Sequence, residues 1–399
     1  MKTVAITEAR RNKSAFALWL LTIAVFAVGT AELLPMGLLL PIAEDTGVSV
    51  PAAGLLVTAY ALGVVIGGPV LSALTGTMPR KPLLVGFLML FILGSALCGF
   101  AVSYGMLLAG RIVSALAQGV LFGIIVVMAK DMAEPGKEGR NIAMVASGLT
   151  VAVVVGSPLG TMLGELFGWR APFLSLAVLA LALLVFIGRL PDQARSESVP
   201  LSRQLRSLTT PQFGLALLMT VFGTGGTFTV FTYIAPILER NGGFSGTMTS
   251  AILLVFGAGS VVGNLLGGWL ADRRLQAALL GGMVLLAVSM PVFTWASRDE
   301  ATAFAAAFVW GIAAYCLMTP LNMRVLGQAG GAQELASTLN ISAFNLGNAL
   351  GSFAGSAVID AGLGLNALPW TASLITLTGI AVALWSAWLE RRVKSVSRA

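Results

Sequence analysis

A chain of 399 residues that is 57% hydrophobic and only 10% charged is not a soluble domain, because soluble domains carry about 25% charged residues. Mean hydropathy is +0.91, and the apolar residues fall in runs of about 20, the length of a membrane-crossing helix rather than of the strands of a membrane barrel. The net charge of +7 is spread along the chain as membrane orientation requires, so nucleic acid is not an expected partner.

Histidine is absent, which excludes histidine metal sites and leaves carboxylates as the proton carriers near neutral pH. There is no phosphate-binding loop, nucleophile–base pair or set of residues at metal-ligand spacing. Neither an enzyme nor ATP-driven transport is expected, and no metal or cofactor. Cys98 and Cys316 lie inside apolar runs and read as small core residues.

A tail at 1–15 carries Lys2, Arg10, Arg11 and Lys13. Twelve apolar runs follow, at 16–41, 51–74, 82–101, 105–128, 141–164, 171–189, 212–237, 246–271, 276–296, 301–323, 335–359 and 367–389. We number them spans 1 to 12. Connections are short except 190–211, which is polar, basic and proline-bearing. It reads as a solvated linker between a bundle at 16–189 and a second at 212–389, with a tail at 390–399. Lysine and arginine fall on one side of this arrangement, in both tails, the linker and the loops around Arg80, Lys81, Lys130, Arg273 and Arg324. Only Arg170, Arg240 and Arg298 fall on the other. The positive-inside rule then puts both termini in the cytoplasm.

The two halves repeat. A shift of 196 residues lays Gly63 and Gly67 on Gly259 and Gly263, and Gly156 and Gly160 have counterparts in Gly351 and Gly355 at nearly the same offset. The expected fold is all-α: twelve transmembrane helices in two pseudo-symmetric six-helix bundles, with a site near the midplane between them.

Span 1 contains Gly29-Thr-Ala-Glu32 and then Pro35-Met-Gly-Leu-Leu-Leu-Pro41. Glu32 lies about nine residues, or about 13 Å, from the end of that run, close to the middle of a hydrocarbon layer about 30 Å thick. No other acid sits so deep. An ionisable group at that depth costs several kcal/mol unless it faces a polar cavity or a partner, which makes it a functional candidate. A protonated Glu32 packed between helices is the plainer alternative.

Span 4 carries Gly110-Arg111 and later Gln118-Gly119. Arg111 lies about 9 Å from its end of the span, near the depth of Glu32; it either faces the interior or snorkels to the headgroups. Span 5 reads Gly156-Ser157-Pro158-Leu159-Gly160, then Gly168-Trp169-Arg170 beyond its end. Its glycines permit close helix approach, and its proline bends the helix and frees a carbonyl, properties suited to a hinge. Span 11 reads Asn340-Ile-Ser342-Ala-Phe344-Asn345-Leu-Gly347-Asn348. Asn345 and Asn348 share a face and either bond across helices or line a cavity. The loop between spans 2 and 3 ends in Arg80-Lys81, and that between spans 8 and 9 begins Gly268-Trp-Leu-Ala-Asp272-Arg273.

Together these stretches resemble the major facilitator superfamily over essentially the whole chain. The likeness is to its twelve-span drug:proton antiporter group, including sugar-efflux and chloramphenicol-resistance-type exporters. The glycine-threonine-x-glutamate of span 1 and the glycine-proline motif of span 5 carry it, together with the asparagine pattern of span 11. The superfamily's loop signature is only partial at Arg80 and Lys81, with Gly76 in place of its aspartate, and better at Asp272 and Arg273.

The resemblance implies proton-coupled efflux of a small, partly hydrophobic compound such as a drug or sugar-like metabolite. The partners are that small molecule, protons and the lipid bilayer. The implied setting is the bacterial inner membrane, crossed many times by a monomer. Glu32 would bind the proton, with Arg111 nearby lowering its pKa. Asp272 would pair across the bundles to shut the cytoplasmic side, with Arg80, Lys81 and Arg273 beside it, and Gly156, Pro158 and Gly160 would flex. Spans 1, 4, 7 and 10 line the cavity in that family, which adds Gln118, Tyr233 and Tyr315 to Asn345 and Asn348 as candidate contacts. The alternative is an uptake symporter for a sugar, amino acid or nucleoside, which would place more polar groups in the cavity.

Overall fold

A computed structural model describes residues 2–75, 78–134, 138–187, 190, 208–329 and 333–396. Most of the linker expected at 190–211 lies outside the described residues, as do Gly76 and the last three residues of the C-terminal tail. Among the described residues every regular element is a helix.

Ten helices among the described residues are long and apolar enough to cross a membrane. One of them, Gly246–Ala296, holds spans 8 and 9 together and turns at Arg274, whose φ of −150° and ψ of 81° leave the helical region. Span 11, Gln333–Asp360, supplies the remaining crossing; its asparagines and serines keep it outside the apolar set. That makes twelve. Their chemistry fixes several starts. Ser103, Thr210, Ser245 and Asp299 each accept a backbone N–H three residues on, satisfying a donor that the first helical turn leaves free.

Spans 1 and 7 break in the same way. Span 1 runs from Lys2 to Gly37, so the tail expected at 1–15 continues the helix; it then resumes as Leu39–Thr46. Span 7 runs from Pro211 to Phe231 and resumes at Ile234. The residues at the breaks are Leu38 (φ −116°, ψ 13°) and Tyr233 (φ −108°, ψ 23°), 195 positions apart, and Pro41 and Pro236 stand at the same separation. The internal repeat therefore extends to backbone torsions.

Within each bundle, helices touch through glycine. A Cβ on Gly263 would sit 2.4 Å from the carbonyl oxygen of Ile312, so spans 8 and 10 are in backbone contact. Glycines of span 5 lie against span 1: a Cβ on Gly156 would fall 2.1 Å from Thr30 Oγ1, and one on Gly160 2.1 Å from Leu34. Just before Pro158, span 5 widens into a π-helical turn at Ala152–Gly156, a form that often marks functional irregularity in a helix.

The bundles meet at one end, the end carrying Tyr104 and Trp169. Ser352 Oγ donates to the carbonyl of Gly54 at 3.1 Å, Ser356 Oγ to that of Pro51 at 3.2 Å, and Thr247 Oγ1 to Glu165 at 3.2 Å. Tyr233, fully buried, fills the space over Gly54, where a Cβ would meet its hydroxyl at 2.1 Å. Beside this contact, Arg170 and the Trp169 indole both bind Asp45, at 2.8 and 3.2 Å.

Candidate functional site

Glu32 lies six residues, nearly two turns, before the break in span 1 and is half-buried. Gln118 of span 4 donates to its Oε2 at 2.6 Å, and Asn348 of span 11 donates to its Oε1 at 3.3 Å. One carboxylate thus bonds to both bundles. Behind Gln118, the Tyr60 hydroxyl of span 2 donates to the amide oxygen of Gln118. The ring of Tyr60 in turn lies 3.8 Å beneath the Arg111 guanidinium. A polar group at this depth needs partners, and each carboxylate oxygen has one amide donor.

Arg111 lies beside Glu32, but no ion pair joins it to the carboxylate. Its donors go to backbone carbonyls: Nε to Leu56 at 3.4 Å, Nη2 to Glu32 at 3.2 Å, and Nη1 to Ala31. At 1% exposure it does not snorkel outward either.

The C-terminal bundle buries an aromatic cluster. Phe231 and Trp310 each lie with ring centroids 4.8 Å from Phe256, while Phe344 stacks edge-on at 6.0 Å from Phe228. Tyr315, half-buried on span 10, is 6.2 Å from Phe256 and within electrostatic range of Glu32. The position 195 residues after Glu32 is Thr227, whose buried hydroxyl has no partner. The two-fold frame therefore carries a polar N-terminal half and an aromatic C-terminal half.

Other predicted residues lie elsewhere. Tyr233 is in the closed end, donating to the Ser352 carbonyl at 3.2 Å. The Asn345 amide donates to Ile341 on its own helix at 3.0 Å. Arg80 pairs with Asp131, and Lys81 donates to the Leu190 carbonyl at 2.9 Å; both ties stay within the first bundle. Asp272 is exposed and bonds to none of the described residues, while Arg273 stacks 3.7 Å over Trp269. Tyr60 is the member of the cluster that the sequence did not single out. Its hydroxyl did not stand out in a run that also carries Thr58 and Ser72. Cys98 and Cys316 are buried and free.

The family model described as Major Facilitator Superfamily matches residues 20–325 and 217–399. The chain belongs to the major facilitator superfamily. It is therefore a membrane transporter and not an enzyme. Among similar superfamily proteins, the inner membrane transport protein YdhP of Escherichia coli K12 is 40% identical over 91% of this chain and 93% of its own. The chloramphenicol resistance protein of Streptomyces lividans is 33% identical over 92% and 95%. The solved bacterial homologue of the human lysosomal transporter Spinster, in an inward-facing, unoccupied conformation, gives a TM-score of 0.74 over 94% of this chain and 95% of that one. Its 17% identity speaks to the fold alone.

Proposed function

We propose that this superfamily member is a proton-coupled exporter of a small, partly hydrophobic compound in a bacterial inner membrane, working as a monomer with both termini in the cytoplasm. The observation that carries this reading is the Glu32 carboxylate bonded at once to Gln118 in one bundle and Asn348 in the other. Ionised, it accepts both amides and fastens span 11 to span 1. Protonated, one oxygen becomes a donor and an amide loses its acceptor; the partnerless Oδ1 of Asn348 is then available to accept. The protonation state of Glu32 thereby biases which end of the molecule is closed.

The two halves suggest the cargo. Aromatic rings of the C-terminal half suit an apolar body. Among the described residues the deep cation Arg111 is spent on carbonyls, which favours a neutral or cationic cargo over an anion. Export follows the relative named for chloramphenicol resistance and the glycine-proline pattern of span 5. In this reading the Trp169 end faces outward and is shut. The π turn before Pro158 is the hinge, and Asp272 and Arg273 engage when the cytoplasmic end closes.

Proteoliposomes with a trapped pH dye and an imposed proton gradient test this. Addition of chloramphenicol is expected to move protons in the native protein and not in Glu32→Gln. Proton movement that survives the substitution refutes Glu32 as carrier.

A further inference from the structure

Pro35 lies inside the first helix and has no N–H. In an unbroken helix that N–H would bond the carbonyl four residues back, which belongs to Ala31. The Ala31 carbonyl is therefore orphaned in the middle of the membrane, where an unpaired backbone group is costly. Arg111 supplies the missing donor: its Nη1 takes Ala31, its Nη2 the carbonyl of Glu32 at 3.2 Å, and its Nε the carbonyl of Leu56 on span 2 at 3.4 Å. Consecutive carbonyls of one helix and a third on its neighbour need a planar fork; a lysine ammonium lacks that fixed geometry.

The grip reaches Glu32 from both ends. Arg111 holds its backbone directly. The ring of Tyr60 backs the guanidinium at 3.8 Å, and the same tyrosine's hydroxyl fixes Gln118, which holds the carboxylate at 2.6 Å.

We propose that Arg111 is a positioning residue, a splint at the hydrogen bond that Pro35 leaves unmade in span 1, which sets where the Glu32 carboxylate sits, and not the counter-ion of that carboxylate. The part of this that concerns proton carriage rests on the reading of Glu32 given above; the splint itself does not.

A double-mutant cycle in purified, full-length protein tests the splint. Pro35→Ala restores the N–H, so the Ala31 carbonyl no longer depends on the guanidinium. Arg111→Gln is expected to lower the thermal unfolding midpoint, and to lower it less than half as far in the Pro35→Ala background. Equal losses in the two backgrounds overturn the splint. Should Arg111→Gln not accumulate, Arg111→Lys takes its place in the same cycle.

The positioning role is read from the infrared carbonyl band of protonated Glu32, identified by its loss in Glu32→Gln and titrated with pH. Arg111→Gln is expected to move the midpoint by about one pH unit, and Pro35→Ala in combination to return it at least halfway. A displaced midpoint that Pro35→Ala leaves untouched means the charge acts directly, and overturns the positioning role. Absence of any titrating band in the native protein removes Glu32 as carrier, and with it the positioning role, while the unfolding cycle still decides the splint.

Discussion

Asn348 reaches Glu32 from the opposite bundle, its amide nitrogen 3.3 Å from Oε1. Replacing Asn348 by Ala removes that cross-bundle bond. Hydrogen bonds to charged groups contribute about 1.5–3 kcal/mol, so the closed form at the Trp169 end should lose about tenfold or more in population. Spin labels at Val102 and Leu363, exposed near that end on the two bundles, should report a longer distance in the variant. An unchanged distance distribution would show that the bond does not hold the bundles together.

Tyr60→Phe keeps a ring under Arg111 but strips the hydroxyl from Gln118. The amide oxygen is then buried without a donor, at a cost of about 1–3 kcal/mol. The unfolding midpoint should fall. Flux should fall by no more than about tenfold, because Glu32 and Asn348 remain. A loss as complete as that of Glu32→Gln would mean the tyrosine itself moves protons.

Gly156→Ala drives a methyl to within 2.1 Å of Thr30 Oγ1, whereas the next atom of Thr30 lies at 3.1 Å. Overpacking of this kind costs about 1–3 kcal/mol. Transport and stability should both drop, and Thr30→Ala in the same chain should recover most of the loss. No recovery would place the fault in the π turn rather than in the contact.

Glu239 lies beyond the end of span 7 and lines a cavity of about 650 Å³ with Glu44 and Glu165, on whose rim Arg170 binds Asp45. Burial, then the facing charges of Glu165 and Glu44, raise its pKa from 4.5 to about 7 against the opposing hydrogen bond of Thr249 and the pull of Arg240. The closed end therefore favours the protonated acid. That preference is fully present below pH 4.5 and is lost as pH rises through about 7. The Val102–Leu363 distance should lengthen over that window in the native protein and not in Glu239→Gln. An identical pH response in the variant would assign the effect to another group.

The crossings were legible because each apolar run is long enough to span lipid and the connections are polar and, apart from 190–211, short. The merging of spans 8 and 9 was not, since a single residue, Arg274, makes the turn. The break at Leu38 was not read from the run of leucines, although Pro41, which cannot donate to the Gly37 carbonyl, stands three residues beyond it as Pro236 stands beyond Tyr233. Glu32 stood out as the one deep acid, and Gln118 and Asn348 as amides within apolar spans. The partners of Arg111 did not. They are backbone carbonyls 55 to 80 residues away, and side-chain-to-backbone contacts at that separation leave no periodic trace. Tyr233 was chosen by span rather than by depth; it falls at the break, and the break carries it into the closed end.

The polar half of this two-fold frame holds one mid-depth carboxylate, and its twin position is Thr227. In the proposed exchange, with Glu32 as its one carrier, each cycle would move a single proton, which sets a thermodynamic ceiling. For a neutral cargo the exchange carries net charge, and 100 mV of membrane potential supplies about 2.3 kcal/mol. At about 1.4 kcal/mol per tenfold ratio, that sustains between one and two decades of concentration difference, and each pH unit of gradient adds one more. For a singly charged cation the exchange is electrically silent, and the pH gradient alone sets how far the cell can be emptied.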